Sequence, residues 1–407
     1  MKNRALFINV FLILNLLLLL LPFPLEAREI LPVLKEENEV ASLLDKHLEN
    51  QIRELNLEGL DRYLRELERE VGMYLPPLGW RDIWERLRRG ELPVKPEEVA
   101  RGLARYFLRE LWAGTKLLSQ LVILAVAGAV LQNLQASLSE GTAAKVAHGV
   151  VFLALVGLAL TPFTLALQAA SQAIDRMVSF FQSLLPMLVT LLAATGGLTT
   201  STLLQPVLTY SLTIAGTVTR GTIFPLIYLG AILGVVSHIS DRFQISRLAG
   251  LLRQFSLALL GLMLTLFTGV LSVYGIGGSV ADGLSLRAAE FATASFVPVV
   301  GKILSDAVTT VAGTTLLLKT AVGVTGVVII FFLVAFPLLK IVSLALVYRV
   351  AAALVQPFGE HQLSDALEGM GGALLLLFAC LIGVTLMFYL TIGVIVLLGN
   401  LLVALRG

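Results

Sequence analysis

Cysteine is almost missing from this chain of 407 residues: Cys380 stands alone in an apolar run, which excludes an intrachain disulfide and any metal site built on cysteine. Histidine is nearly as scarce, and His47, His148, His238 and His361 are dispersed without a metal-ligand spacing. The sequence has no glycine-rich phosphate loop ending in Gly-Lys-Ser/Thr, no His-Glu-x-x-His and no serine in a nucleophile elbow. These absences leave no catalytic, cofactor-binding or metal-binding residue to name, so the chain reads as a non-enzyme without a cofactor. Charge is also sparse over most of the length: 34 charged residues lie between Arg28 and Lys116, and only 21 follow. With a net charge of +2 and no basic stripe that outweighs its acidic neighbours, nothing points to nucleic acid as a partner.

Apolar residues fill the space those absences leave. Hydrophobic residues make up 57% of the chain and the mean hydropathy is +0.87, which excludes a soluble enzyme of ordinary domains and predicts an all-α, polytopic helical membrane protein. Stretches near the length needed to cross about 30 Å of hydrocarbon occur at about Leu117 to Leu134, Val146 to Leu167, Leu184 to Leu198, Thr202 to Thr219, Thr222 to His238, Phe255 to Gly275, Leu316 to Leu338 and Gly371 to Leu398. Eight crossings are therefore expected. Pro162, Pro186, Pro206 and Pro225 lie in or beside them and predict kinks, while Gly230 and Gly234 predict close helix packing. Gly275 to Gly278 reads as a hinge after a membrane helix.

Lys2 and Arg4 before an apolar run, then Pro22, Pro24 and Ala27, have the order of a secretory signal, with 1–27 removed after Ala27; an uncleaved anchor is the alternative, and both place Arg28 onward outside the cytoplasm. Residues 28–116 then form a small exported helical domain. Apolar residues at helical spacing from Val40 to Tyr74, interrupted at Gly59, predict an amphipathic hairpin ended by Pro76 and Pro77. Beyond it come a short apolar patch at Trp80, Ile83, Trp84 and Leu87, and a helix starting at Pro96 with Glu97 and Glu98 at its positive end. Such a segment buries only a thin core and needs a partner or the membrane surface. Arg242, Arg247 and Arg253 cluster in the segment that five crossings place inside, in agreement with the positive-inside rule.

The rest divides into membrane helices at 117–275 and a region at 276–407 that carries a tandem repeat, about 282–338 and 341–398. Pro298 to Leu318 and Pro357 to Leu377 share, at an offset of 59 residues, a proline, Leu-Ser-Asp-Ala, a glycine and three leucines. In each copy Ser305 or Ser364 reads as a helix N-cap followed by Asp306 or Asp365. The same offset sets Glu290 opposite Arg349. Capping is the plain role for both aspartates; a polar path or partner interface made by Glu290, Asp306, Arg349 and Asp365 is the alternative, because ionisable groups at membrane depth face a cavity or a partner. If Ile341 to Val355 does not cross, the copies have opposite orientation, as in many transporters. If it crosses, Asp306 and Asp365 share the outer side.

The sequence resembles the stage III sporulation protein AE family. The likeness is carried by the exported charged region leading through Arg109-Glu110-Leu111 into the first mature membrane helix, by Phe296-Val297-Pro298-Val299-Val300-Gly301 with Leu304-Ser305-Asp306-Ala307, and by Val355-Gln356-Pro357 with Gly399-Asn400. The resemblance implies a multi-pass component of the sporulation assembly in the mother-cell membrane around the forespore. Its implied partners are other membrane proteins of a transenvelope channel, a separate ATPase subunit among them, and the lipid bilayer. The family offers no established catalytic residues to transfer. A stand-alone secondary transporter is the competing class.

Overall fold

The computed structural model describes residues 58–74, 79–89, 91–137, 142–237, 245–296, 300–358 and 361–404. The signal peptide, its cleavage site and the first half of the amphipathic hairpin lie outside the described residues.

Nine α-helices account for the described chain: α1 (Glu58–Val71), α2 (Trp80–Arg88), α3 (Pro96–Ser137), α4 (Thr142–Ala194), α5 (Leu198–Val218), α6 (Phe224–Val236), α7 (Ser246–Phe296), α8 (Val300–Val355) and α9 (His361–Ala404). A π-helical turn, Thr219–Ile223, joins α5 to α6 without a break in direction. Among the described residues, six helices are long and apolar enough to cross a membrane, where eight stretches were expected. The difference lies in the prolines. Pro162 and Pro186 sit inside the single helix α4, Pro206 sits inside α5, and Pro225 follows the π turn at the first positions of α6. Each proline removes one backbone donor, but packing against neighbouring helices holds the helical path. Where Pro162 cannot donate to Leu158, the next carbonyl, Ala159, accepts from the buried Tyr348 hydroxyl of α8. The Gly275 hinge is likewise not formed: α7 runs through it, with Gly278 fitted against Thr200 and Gly275 in reach of Val394.

The helices are far longer than one bilayer needs. With 56 residues, α8 is about 84 Å long at 1.5 Å per residue. It forms the centre of the bundle with α9, antiparallel to it: Gly323 packs on Ile392 and Val396, and at the other end the Ser364 hydroxyl donates to the Ala352 carbonyl at 3.0 Å. We call these the Gly399 end and the Pro357 end. Helix α4 turns into α5 at the Gly399 end through Gly196, whose φ of 102° is the left-handed conformation that glycine adopts freely. Bonds from Gly197 N–H to Leu192 O at 3.1 Å and from Gly196 N–H to Ala193 O at 3.0 Å complete a Schellman stop.

Helix α3 starts at Pro96 as the sequence indicates, with Glu97 and Glu98 in its first turn. The partner that the charged segment needs is, for its described part, the chain's own bundle. Helix α1 buries Leu60, Leu64 and Leu67 in the same apolar core as α4 and α8, and Tyr63 meets Phe180 edge-on at 5.0 Å. Tyr74 and Tyr106 meet edge-on and both contact Phe336, the Arg109 guanidinium donates to the Tyr74 hydroxyl, and Gly102 leaves room for the Tyr74 carbonyl. Position 116 falls inside α3, so helix continuity carries the charged segment directly into the first long apolar helix.

Candidate functional site

Among lipid-compatible helices the informative side chains are the ionisable ones, because a charge at membrane depth is costly unless paired or watered. The four residues singled out in the sequence do not form one cluster. Glu290 lies in the last turns of α7 and Asp306 in the first turns of α8, with side chains outside the described set, so these two belong to the Gly399 end. Arg349 and Asp365 lie at the Pro357 end and are exposed. Glu290 and Arg349 are therefore not brought together. Because α8 is one unbroken helix antiparallel to α9, the two repeat copies begin consecutive helices that run in opposite directions. Ser305 and Ser364 are not N-caps: α8 starts at Val300 and α9 at His361, so both serines stand inside helices. Ser364 instead ties α9 to α8 through the Ala352 carbonyl.

Three ionisable groups whose surroundings the sequence did not reveal occupy the bundle: Asp282 and Lys319 are buried, and Arg253 is half-buried. Asp282 of α7 is 2% exposed, and its carboxylate accepts from the backbone N–H of Thr199 and of Thr200, both at 2.8 Å. Helix α5 begins after Gly197, which has no side chain to cap it. Asp282 thus supplies, from another helix, the anion that a helix N-terminus favours. Arg253, also in α7, donates through Nη2 to the Gly369 carbonyl of α9 at 2.7 Å, while its Nε is buried without a partner. The glycines make room for it: Gly234, Gly369 and Gly372 all border the guanidinium. Gly230, as its spacing with Gly234 suggests, lies against α7 at Ala249 and Leu252.

Lys319 is fully buried in α8, and its Nζ has no hydrogen-bond partner. A side chain at position 399 would occupy the space of that Nζ, so Gly399 of α9 is what admits the lysine. An unpaired buried amine is expensive in an apolar interior, and it marks the α8–α9 contact as a place where an anionic or hydrogen-bonding group would be welcomed. A lone glycine before a C-terminal Asn, and a single lysine in an otherwise uncharged run, were the available sequence signals. The fourth feature is exposed: Arg220, on the π turn, pairs with Asp175 of α4 at 2.5 Å, and nearby Gln182 donates to Thr213 at 3.3 Å. Among the described residues no group of three His, Cys, Asp or Glu is arranged to hold a metal ion.

The family model of stage III sporulation protein AE matches residues 78–399, from the start of α2 to the glycine beside Lys319. The chain belongs to the stage III sporulation protein AE family. A relative from Bacillus subtilis (strain 168), "Stage III sporulation protein AE", is 36% identical over 361 residues, covering 89% of this chain and 90% of that protein. No solved structure matches. Family membership implies a role in sporulation for a multi-pass membrane protein, and the family is not known as enzymatic.

Proposed function

We propose that this protein is a membrane component of a multiprotein transenvelope channel between mother cell and forespore, required for spore development. The observation that carries this reading is the family match over 78–399, which takes in all six long apolar helices. It acts in the mother-cell membrane around the forespore, with the charged N-terminal segment extracytoplasmic. Six crossings instead of eight keep that sidedness, since three crossings and five both put the arginines around Arg247 inside. On this topology the Gly399 end is the outer end and the Pro357 end the inner one. The sequence has no nucleotide-binding loop, so energy for transport comes from a separate ATPase subunit, and the charged outer faces of α1 and α2 are available to other membrane proteins of the assembly. A deletion strain is expected to complete engulfment and then stop, and affinity-tagged protein from sporulating cells to bring down other sporulation membrane proteins. Normal spores from the deletion strain overturn the reading.

The second reading, a stand-alone secondary transporter, is favoured by one observation: the repeat copies begin antiparallel helices. Purified protein in liposomes then moves a solute unaided, and failure across a broad substrate panel removes that reading.

A further inference from the structure

Helix α4 carries exposed Gln168, Gln172, Asp175, Ser179 and Gln182, spaced four, three, four and three residues apart, which places them on one face. Thr161 and Thr190 lie further along the same face, beyond exposed Leu165 and Pro186. The unbroken row from Gln168 to Gln182 extends about 21 Å at 1.5 Å per residue, most of the roughly 30 Å of hydrocarbon. Antiparallel α5 adds Thr202, Gln205, Thr209, Thr213 and Thr217 at the same kind of spacing, and the π turn adds Arg220. Two cross-links, Asp175 with Arg220 and Gln182 with Thr213, join the stripes into one polar face. Both members of the ion pair are about half exposed, so this face looks outward from the bundle.

The opposite side at the same height is apolar but for Thr265, whose hydroxyl donates to its own helix at the Gly261 carbonyl. Phe181 meets Phe388 edge-on and the Thr385 hydroxyl reaches Met177 at 3.8 Å, and a side chain at Gly383 would meet Leu260 at 3.2 Å. One cross-section therefore runs from Asp175 and Phe181 through α9 to Leu260 of α7, whose neighbours Leu257, Leu262 and Leu266 are 49%, 55% and 60% exposed. In that same section Tyr63 rests on Phe180 and brings the exposed Arg62, Arg65 and Glu66 of α1 beside α4, so on the topology proposed above the exported segment reaches into this section from the outer side. Lipid suits the α7 side. It does not suit an ion pair, a glutamine row and a charged helix, which need water.

We propose that the α4–α5 face borders a water-filled lumen within the membrane, closed by further copies of this chain. The face lies on the outside of the single chain, so the rest of the wall comes from another polypeptide. Repetition of this chain is compatible with it because Asp175 and Arg220 neutralise one another, so this ion pair adds no net charge to a ring of such faces. Serine, threonine and glutamine both donate and accept, so equivalent faces need no complementary partner. Exposed Tyr210 and Ile214 on α5 flank the polar row and offer an apolar contact between neighbouring copies. The proposal deepens the channel-component reading and rests on it for what the lumen serves.

The test is thiol labelling in membrane vesicles from cells that make this chain and no other sporulation protein, starting from Cys380→Ala so that no native thiol remains. Gln172→Cys, Ser179→Cys and Gln205→Cys are compared with Leu257→Cys, Leu262→Cys and Leu266→Cys, all at exposed positions, using a charged, membrane-impermeant thiol reagent applied to both faces. The expected result is labelling at least about tenfold faster on the polar face than on α7, together with a mass in detergent of several copies. Equal fast labelling on both sides overturns the proposal, because the bundle then projects from the bilayer at this height. Slow labelling on both sides overturns it in favour of a dry interface, and a monomeric mass overturns closure by further copies. None of these outcomes depends on the spore phenotype, so this proposal and the sporulation reading fail separately.

Discussion

Removing the Asp282 carboxylate takes away both acceptors at the start of α5. Hydrogen bonds to a charged group contribute about 1.5–3 kcal/mol each, so Asp282→Ala costs about 3 kcal/mol at the low end of that range. Asp282→Asn keeps one carbonyl acceptor and loses the charge that the helix end favours, at roughly half that cost. The Thr199 N–H can be removed independently, because proline in the first helical turn forfeits no intrahelical bond. Thr199→Pro therefore deprives Asp282 of one donor in the native background but removes only an orphan N–H when Asp282 is already alanine. The coupling between the two changes is expected at about 1.5–3 kcal/mol. Thermal unfolding in detergent with a thiol-reactive fluorophore reports it, since Cys380 is the one cysteine and is buried in the core. At roughly 2 °C per kcal/mol for a long chain, Asp282→Ala lowers Tm by about 6 °C and the non-additivity is about 3–6 °C. Effects that add within about 0.5 kcal/mol refute the cap.

Replacing Lys319 with methionine fills the same volume without an unpaired buried amine, so Lys319→Met leaves Tm unchanged or raises it by a few degrees; a fall of several degrees contradicts the absence of a partner. Gly102→Ala places a methyl group where the Tyr74 carbonyl now lies. The charged segment then lifts from α3, and limited proteolysis between residues 75 and 91 speeds up at least about tenfold while the long helices resist; an unchanged digestion rate shows that the contact is dispensable.

The class of the molecule was legible because composition alone decides it, and the start of α3 was legible because Pro96, Glu97 and Glu98 act locally. Crossing number was not, since a proline read in isolation marks a break, whereas Pro162, Pro186 and Pro206 are held within helices by neighbours that no local pattern reveals. Ser305 and Ser364 misled for a related reason: a serine before an aspartate resembles a cap wherever it stands, and the helices start earlier. Lys319, Asp282 and Arg253 owe their environments to glycines or backbone groups on other helices, so their surroundings required the fold. The polar row on α4 was within reach of the sequence, because its four-three spacing is a local signal, but it is diluted among the leucines and alanines of one very long helix.

The cap on α5 also imposes an order of events on assembly. Asp282 is synthesised 83 residues after Thr199, about 4–17 s later at 5–20 residues per second. Through that interval the first turn of α5 has its amide groups uncapped, and α4 and α5 can form a hairpin but cannot be locked. Arrival of α7 completes them through Asp282, while Arg253 waits for Gly369 of α9, synthesised 116 residues after it. Helix α7 is thus the latch of biogenesis, and a chain halted before residue 282 would present an unfinished helix end to whatever holds nascent membrane proteins.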